Sequence, residues 1–140
     1  MKEVTIIRRE RFCSAHKLWN PEWDAKKNEE TFGGCSNPNW HGHNYELIVK
    51  VAGEIEPETG FVMNLKTLSK ILKHKVIDKL DHKNLNMDVD FLANKRTTTE
   101  VVAVAIWEEI EEAIKEKGGK LVSVRVNETE NNSVEYFGEK

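Results

Sequence analysis

Along this chain the apolar residues change their spacing twice, from every second residue to every third or fourth and back again. Side chains repeat with period two in a strand and 3.6 in a helix, so the order reads β-β-α-α-β-β. Residues 4 to 13 are rich in β-branched side chains and predict a first strand, closed by Ser14-Ala15-His16. From about 43 to 55, Tyr45, Leu47, Val49 and Val51 alternate with Asn44, Glu46, Lys50 and Ala52, Ile48 being the apolar exception. Pro57 and Gly60 mark a turn. Asn64 then caps a helix whose stripe is Leu65, Leu68, Leu72, Val76 and Leu80. A second helix opens at Thr98-Thr99-Glu100, where a hydroxyl can cap free N–H groups and an acid suits the positive helix end. Its buried face is Val102, Ala105, Ile106, Glu109, Ile110, Ala113 and Ile114, and Gly118-Gly119 end it. Val122, Val124 and Val126 predict a third strand, and Ser133 to Gly138 a fourth, joined across Thr129-Glu130-Asn131-Asn132. The simplest fold is α+β, a four-stranded antiparallel sheet with two helices on one face. Such a sheet has free edges and an uncovered face, which association between subunits would remove.

Residues 20 to 40 carry Asn, Pro, Gly and Asp without periodicity and predict a long loop. Loops of that length in a compact domain are usually functional or disordered, and this one joins His16 to His41 and contains Cys35. At 140 residues, 1–140 reads as one domain with its own core. A net charge of -3 with mixed signs argues against a nucleic-acid surface. No stretch is long and apolar enough to span a bilayer. Met1-Lys2-Glu3-Val4 lacks the apolar core of a signal peptide, and the two cysteines, Cys13 and Cys35, suit a reducing compartment. The expectation is a soluble cytoplasmic domain, with neither nucleic acid nor membrane as partner.

The chemistry concentrates in Cys35-Ser36-Asn37-Pro38-Asn39-Trp40-His41-Gly42-His43-Asn44-Tyr45. His41 and His43 are in phase with the apolar face of the second strand, and Gly42 between them would allow a close approach. His16, at the end of the first strand, could supply a third nitrogen. Three His ligands with a position left open is the catalytic form of zinc. Cys35 could instead be a fourth ligand that closes the site, or a small buried hydrophobe. Glu128 follows the valines in phase; it is either solvated beyond the strand end or a carboxylate that holds a planar donor fork. Asp81-His82 reads as a cation at a helix C-terminus or as a proton relay, for which Cys35, a thiol acidified by a metal or imidazolium, could be the base. The basic pairs Lys26-Lys27 and Lys95-Arg96 are either solvated charges or contacts for an anionic substrate.

These segments, taken in order, resemble the 6-pyruvoyl-tetrahydropterin synthase and 6-carboxy-tetrahydropterin synthase family. The resemblance runs through Phe12-Cys13-Ser14-Ala15-His16, the stretch from Phe32 to Tyr45, and Gly60-Phe61-Val62-Met63-Asn64-Leu65. It continues through Leu80-Asp81-His82-Lys83-Asn84-Leu85-Asn86, Thr98-Thr99-Glu100 and Glu128-Thr129-Glu130-Asn131-Asn132. It implies a tunnelling fold (T-fold) in which trimers close their sheets into a β-barrel and stack into a homohexamer, with active sites at subunit interfaces. By position, His16, His41 and His43 are then zinc ligands and Cys35 the general base. Asp81 and His82 become a relay contributed by a neighbouring subunit. Glu128 becomes the anchor of a pterin ring, helped by Thr98, Thr99 and Glu100. The implied activity is zinc-dependent conversion of 7,8-dihydroneopterin triphosphate to 6-pyruvoyl-tetrahydropterin, a step toward biopterin. One alternative is cleavage of the same substrate to 6-carboxy-tetrahydropterin, the queuosine precursor; another is a non-catalytic, zinc-stabilised oligomeric pterin-binding domain. The Cys-to-His gap and the Glu-Thr-Glu-Asn-Asn segment resemble the pyruvoyl branch. Trp40 and Lys17 depart from it, standing where a small residue and an Arg are usual.

Overall fold

The computed structural model describes residues 2–140; Met1, where the N-terminal reading begins, lies outside the described residues. The chain folds around one long hairpin. β1 (Glu3–His16) and β2 (His41–Glu54) pair antiparallel over their full lengths, from Glu3 opposite Glu54 to His16 opposite His41. β2 also pairs with β4 (Lys120–Asn127), which forms a short hairpin with β5 (Ser133–Tyr136). The sheet has five strands rather than four. The fifth is β3, only Lys83–Asn84, which lies parallel to β1 at Ser14 and Ala15 and gives the order β3-β1-β2-β4-β5. Two residues are too few to show a period, so the sequence pattern passes over this strand. The sheet is open, with β3 and β5 at its edges.

The third strand departs from simple alternation. Lys50 pairs with Ser123 but Val51 with Leu121, so Val122 is the extra residue of a bulge. Leu121, rather than Val122, therefore joins Val124 and Val126 in the core.

Helices α2 (Leu65–Leu72) and α4 (Thr99–Glu116) cover one face of the sheet. Asn64 caps α2 by accepting from the Lys66 N–H at 2.8 Å, and the Thr98 hydroxyl accepts from the Val101 N–H at 3.3 Å. The α2 stripe holds at Leu68, Leu72, Val76 and Leu80, all fully buried, while Leu65 is exposed. Steps of four residues overshoot an ideal helical turn by about 40° each, so a straight α-helix would rotate this stripe away from the sheet. A wider π turn over Lys73–Ile77 takes up the difference before α3 (Asp78–Leu80). Glu109, the polar residue on the α4 face, lies 3.7 Å from Lys79. After α4 the chain turns back through Gly118, with φ of 87°, and Gly119, where a Cβ would sit 2.5 Å from the Val51 side chain.

The predicted loop over 20 to 40 is partly helical: α1 (Ala25–Phe32) leads into a 3-10 turn over Gly33–Ser36. An apolar period is missing because this helix is not packed by a stripe. Asp24 caps it at the Lys27 N–H, 2.8 Å away. The buried Asn28 side chain bonds the Asn20 backbone at 2.7 and 3.0 Å, and Trp23 stacks on Phe32 with centroids 5.8 Å apart. No helix among the described residues is long and apolar enough to cross a membrane.

Candidate metal centre and active site

The long β1–β2 register brings the three histidines together. His16 is the cross-strand partner of His41, and His43 lies two residues along the same face, opposite Ser14. The ring centroids are 4.5 Å apart for His16 and His41, 5.0 Å for His41 and His43, and 5.3 Å for His16 and His43. One nitrogen from each ring lies within 4.8 Å of the other two. His16 Nε2, His41 Nδ1 and His43 Nε2 are buried without a hydrogen-bond partner. Burying polar nitrogens unpaired is costly, and three convergent imidazole nitrogens form the donor set for a borderline metal such as zinc. These residues fit a metal ion. Burial lowers the pKa of His16, as does repulsion from the other two rings, against a hydrogen bond to Thr97 and the charge of Glu128. Burial also lowers His41, as does His43. Both shifts favour the neutral imidazole that a metal requires.

Gly42 is not forced by close packing within the chain, since a Cβ there would meet only the Ser14 carbonyl oxygen at 3.4 Å. Trp40, just before His41, adopts φ of 68°, and the Lys17 ammonium lies 4.4 Å from its ring centroid.

Glu128 lies one residue beyond the end of β4. The strand does end at Asn127, yet the carboxylate stays turned toward the cluster, 4.0 Å from His16 Nε2 and 3.8 Å from His43 Nε2. A tight turn, with the Glu128 N–H bonded to the Asn132 carbonyl at 3.0 Å, holds its backbone. The Thr99 hydroxyl donates to Glu128 Oε2 at 2.7 Å. Thr98 is occupied as the cap of α4, and Glu100 is exposed on that helix's first turn, so Thr99 is the member of the trio that touches Glu128.

Cys35 sits half-buried in the 3-10 turn, its thiol free. Its carbonyl accepts from the Leu18 N–H at 2.8 Å, which ties it two residues beyond His16. It is not a member of the three-nitrogen group. Tyr45 lies between these parts. Its ring stacks on Phe12 with centroids 4.8 Å apart and meets His43 edge-on at 5.5 Å, and its hydroxyl is buried without a partner. Burial pushes the phenol pKa well up, helped by the nearby charges of Glu128 and Cys35. Tyr45 was visible in the sequence as the next residue in phase after His41 and His43, but its phase marked it as core. Thr97, whose carbonyl oxygen lies 2.8 Å from His16 Nδ1, gave no signal, because its contribution is a backbone atom.

Asp81 and His82 lie at the β3 edge. Asp81 Oδ1 accepts from the Cys13 N–H at 2.8 Å, and His82 Nδ1 is 3.0 Å from Asp81 Oδ2. The Cys13 hydrogen bond, then that to His82, lowers the Asp81 pKa. His82 is exposed, with φ of 60°; its backbone N–H donates to the Cys13 carbonyl at 2.6 Å, and the Asp81 N–H to the Ile77 carbonyl at 2.8 Å. A cleft of about 840 Å³ on the uncovered side of the sheet runs from Cys13 and Asp81 across Asn44 to Arg125 and the Thr129–Glu130 turn.

The sequence profile described as 6-pyruvoyl tetrahydropterin synthase matches residues 5–139. The 6-pyruvoyl tetrahydrobiopterin synthase of Homo sapiens is 44% identical over 137 residues, covering 98% of this chain and 93% of that protein. The structure of Caenorhabditis elegans 6-pyruvoyl tetrahydropterin synthase superposes with a TM-score of 0.92 at 37% identity, covering 99% of this chain and 98% of that one. A shorter match, 36% identical over 85 residues, is to the 6-carboxy-5,6,7,8-tetrahydropterin synthase of Bacillus subtilis, covering 59% of this chain and 54% of that protein.

Proposed function

This chain belongs to the 6-pyruvoyl tetrahydropterin synthase family, and from that premise we propose that it is a zinc-dependent lyase. Its substrate is 7,8-dihydroneopterin triphosphate, and its products are 6-pyruvoyl-tetrahydropterin and triphosphate. The observation that carries the reading is the set of three buried, unpartnered imidazole nitrogens beside the Glu128 carboxylate. His16, His41 and His43 would hold the zinc, which when bound supplies a Lewis acid for the oxygens of the substrate side chain. Glu128, oriented by the Thr99 hydroxyl, accepts the planar N–H fork of the pterin ring, with Thr98 and Glu100 flanking it. Cys35 removes a carbon-bound proton as the general base. Asp81 holds the His82 imidazole through Nδ1, so that its other nitrogen can pass protons. Loss of triphosphate and transfer of protons from the side-chain carbons to the pterin ring complete an internal redox, the ring being reduced as the side chain is oxidised, that needs no nicotinamide or flavin.

The hydrogen bonds of Asp81 and His82 keep them on the exposed β3 edge, which supports a role in a neighbouring subunit's site. The open edges of the sheet support the same assembly: a trimeric β-barrel of the T-fold, stacked as a homohexamer. In this reading residues 1–140 form one pterin-synthase domain of the cytoplasm, with a small-molecule substrate and no nucleic-acid or membrane partner.

The test is incubation of zinc-loaded protein with the triphosphate substrate, with triphosphate release and product mass recorded together. A product that keeps the three-carbon side chain upholds the proposal. A product shortened to a carboxylate, with acetaldehyde released, replaces it by the chemistry named for the Bacillus subtilis relative and makes Trp40 the residue to vary. Binding without triphosphate release leaves a non-catalytic pterin-binding domain.

A further inference from the structure

We propose that Asn86 is a positioning residue for the metal centre: its side-chain amide, acting through Thr97, fixes which nitrogen of His16 faces the other two histidines. The inference rests on reading the three histidines as a metal site. His16 Nδ1 lies 2.8 Å from the Thr97 carbonyl oxygen. A carbonyl can only accept, so Nδ1 carries the proton and the Nε2 lone pair is left for the centre. Metal-binding imidazoles are commonly set in this way by the partner of their second nitrogen.

Thr97 belongs to no helix or strand; it precedes the cap of α4, and side-chain bonds hold it. Its hydroxyl lies 3.1 Å from Asn86 Oδ1 and 3.3 Å from the Lys17 carbonyl. Asn86 in turn pairs with both backbone groups of Lys17. Oδ1 accepts from the Lys17 N–H at 3.1 Å, and Nδ2 donates to the Lys17 carbonyl at 3.0 Å. The backbone ladder between β3 and β1 stops at Asn84 opposite Ala15, with the Leu85 N–H still bonded to the Ala15 carbonyl at 2.8 Å. The Asn86 amide continues that ladder by one more residue. One exposed side chain thus grips the residue after His16 and the residue that orients the His16 ring.

The two links that reach Thr97 and the Lys17 N–H both use Oδ1 as acceptor, so Asn86→Asp keeps them and Asn86→Ala removes them. The experiment has two arms. On metal-free protein, the nitrogen-15 shifts of the His16 ring report its tautomer. Wild type and Asn86→Asp should show Nδ1–H, and Asn86→Ala a mixture of the two forms. By titration against a competing chelator, zinc affinity should fall about tenfold in Asn86→Ala and stay near wild type in Asn86→Asp, outer partners of metal ligands being worth roughly 10–100-fold. Unchanged tautomer and unchanged affinity in Asn86→Ala would overturn the proposal. Equal impairment of Asn86→Asp and Asn86→Ala would overturn it too, because the acceptor links would then not be the ones that matter. Failure of wild type to bind zinc would refute the metal reading alone, since the tautomer is read without metal.

Discussion

Removing the buried hydroxyl of Tyr45 should make the metal-free protein more stable. Tyr45 is 1% exposed, and its hydroxyl has no partner among the described residues. A buried, uncompensated hydroxyl costs about 1–3 kcal/mol by mutational measures. Tyr45→Phe deletes that oxygen and keeps the ring, with its stack on Phe12 at an interplanar angle of 10°. The void left is smaller than a methyl group and takes back part of the gain, so the expected net stabilisation is about 1 kcal/mol. Unfolding entropy of about 2.1 cal/mol/K per residue gives about 0.3 kcal/mol/K for a chain of this length, so Tm should rise by about 3 °C. Differential scanning calorimetry at matched concentration, with metal stripped and at pH 8, measures it. A fall in Tm of similar size would refute the reasoning, because it would mean that the hydroxyl has a partner worth more than its desolvation.

Four further outcomes are expected. His41→Ala should lose bound metal by elemental analysis, whereas Cys35→Ala should keep zinc and pterin binding but lose turnover; a zinc-free Cys35→Ala protein would make the thiol a ligand. Where a metal is bound, nitrogen–metal distances should be about 2.0–2.1 Å, with the Cys35 sulfur farther out than the roughly 2.3 Å of a zinc–thiolate bond. Mixing inactive Cys35→Ala with inactive His82→Ala should restore part of the activity if sites are shared between subunits, and no recovery after verified subunit exchange would count against sharing. Finally, burial holds His16 and His41 below the ordinary histidine value of 6.5 in the folded chain. The unfolded chain therefore takes up protons first as pH falls, so stability present above 6.5 is lost as pH drops through the lower folded values. Metal-free Tm should fall between pH 7 and pH 5, and a flat or rising profile would contradict the burial of these rings.

The order of the long strands and helices and the shared face of His41 and His43 were legible in the sequence because they depend on local spacing. Alternation from Tyr45 to Val51 sets a strand face, and His41 and His43 share it because strand geometry leaves no other choice at a spacing of two. Asn64, Thr98 and Gly118 punctuate the helices through bonds that reach only a few residues. The pairing of His16 with His41 is of a different kind. A one-residue slip of β1 against β2 would turn every histidine-bearing face around, and the long connection between them carries no turn chemistry that fixes the register. That register came from the full length of the β1–β2 ladder and from burial on its helix-covered side. The bulge at Val122, the two-residue β3 and the helix within residues 20–40 were hidden for the same reason: each is held by partners far along the chain or by a few side-chain bonds, not by a repeating local pattern. The orientation of Glu128 toward the histidines, and of the His16 ring by Thr97, likewise exists only once α4 packs against the sheet, because their partners come from 29 and 81 residues away.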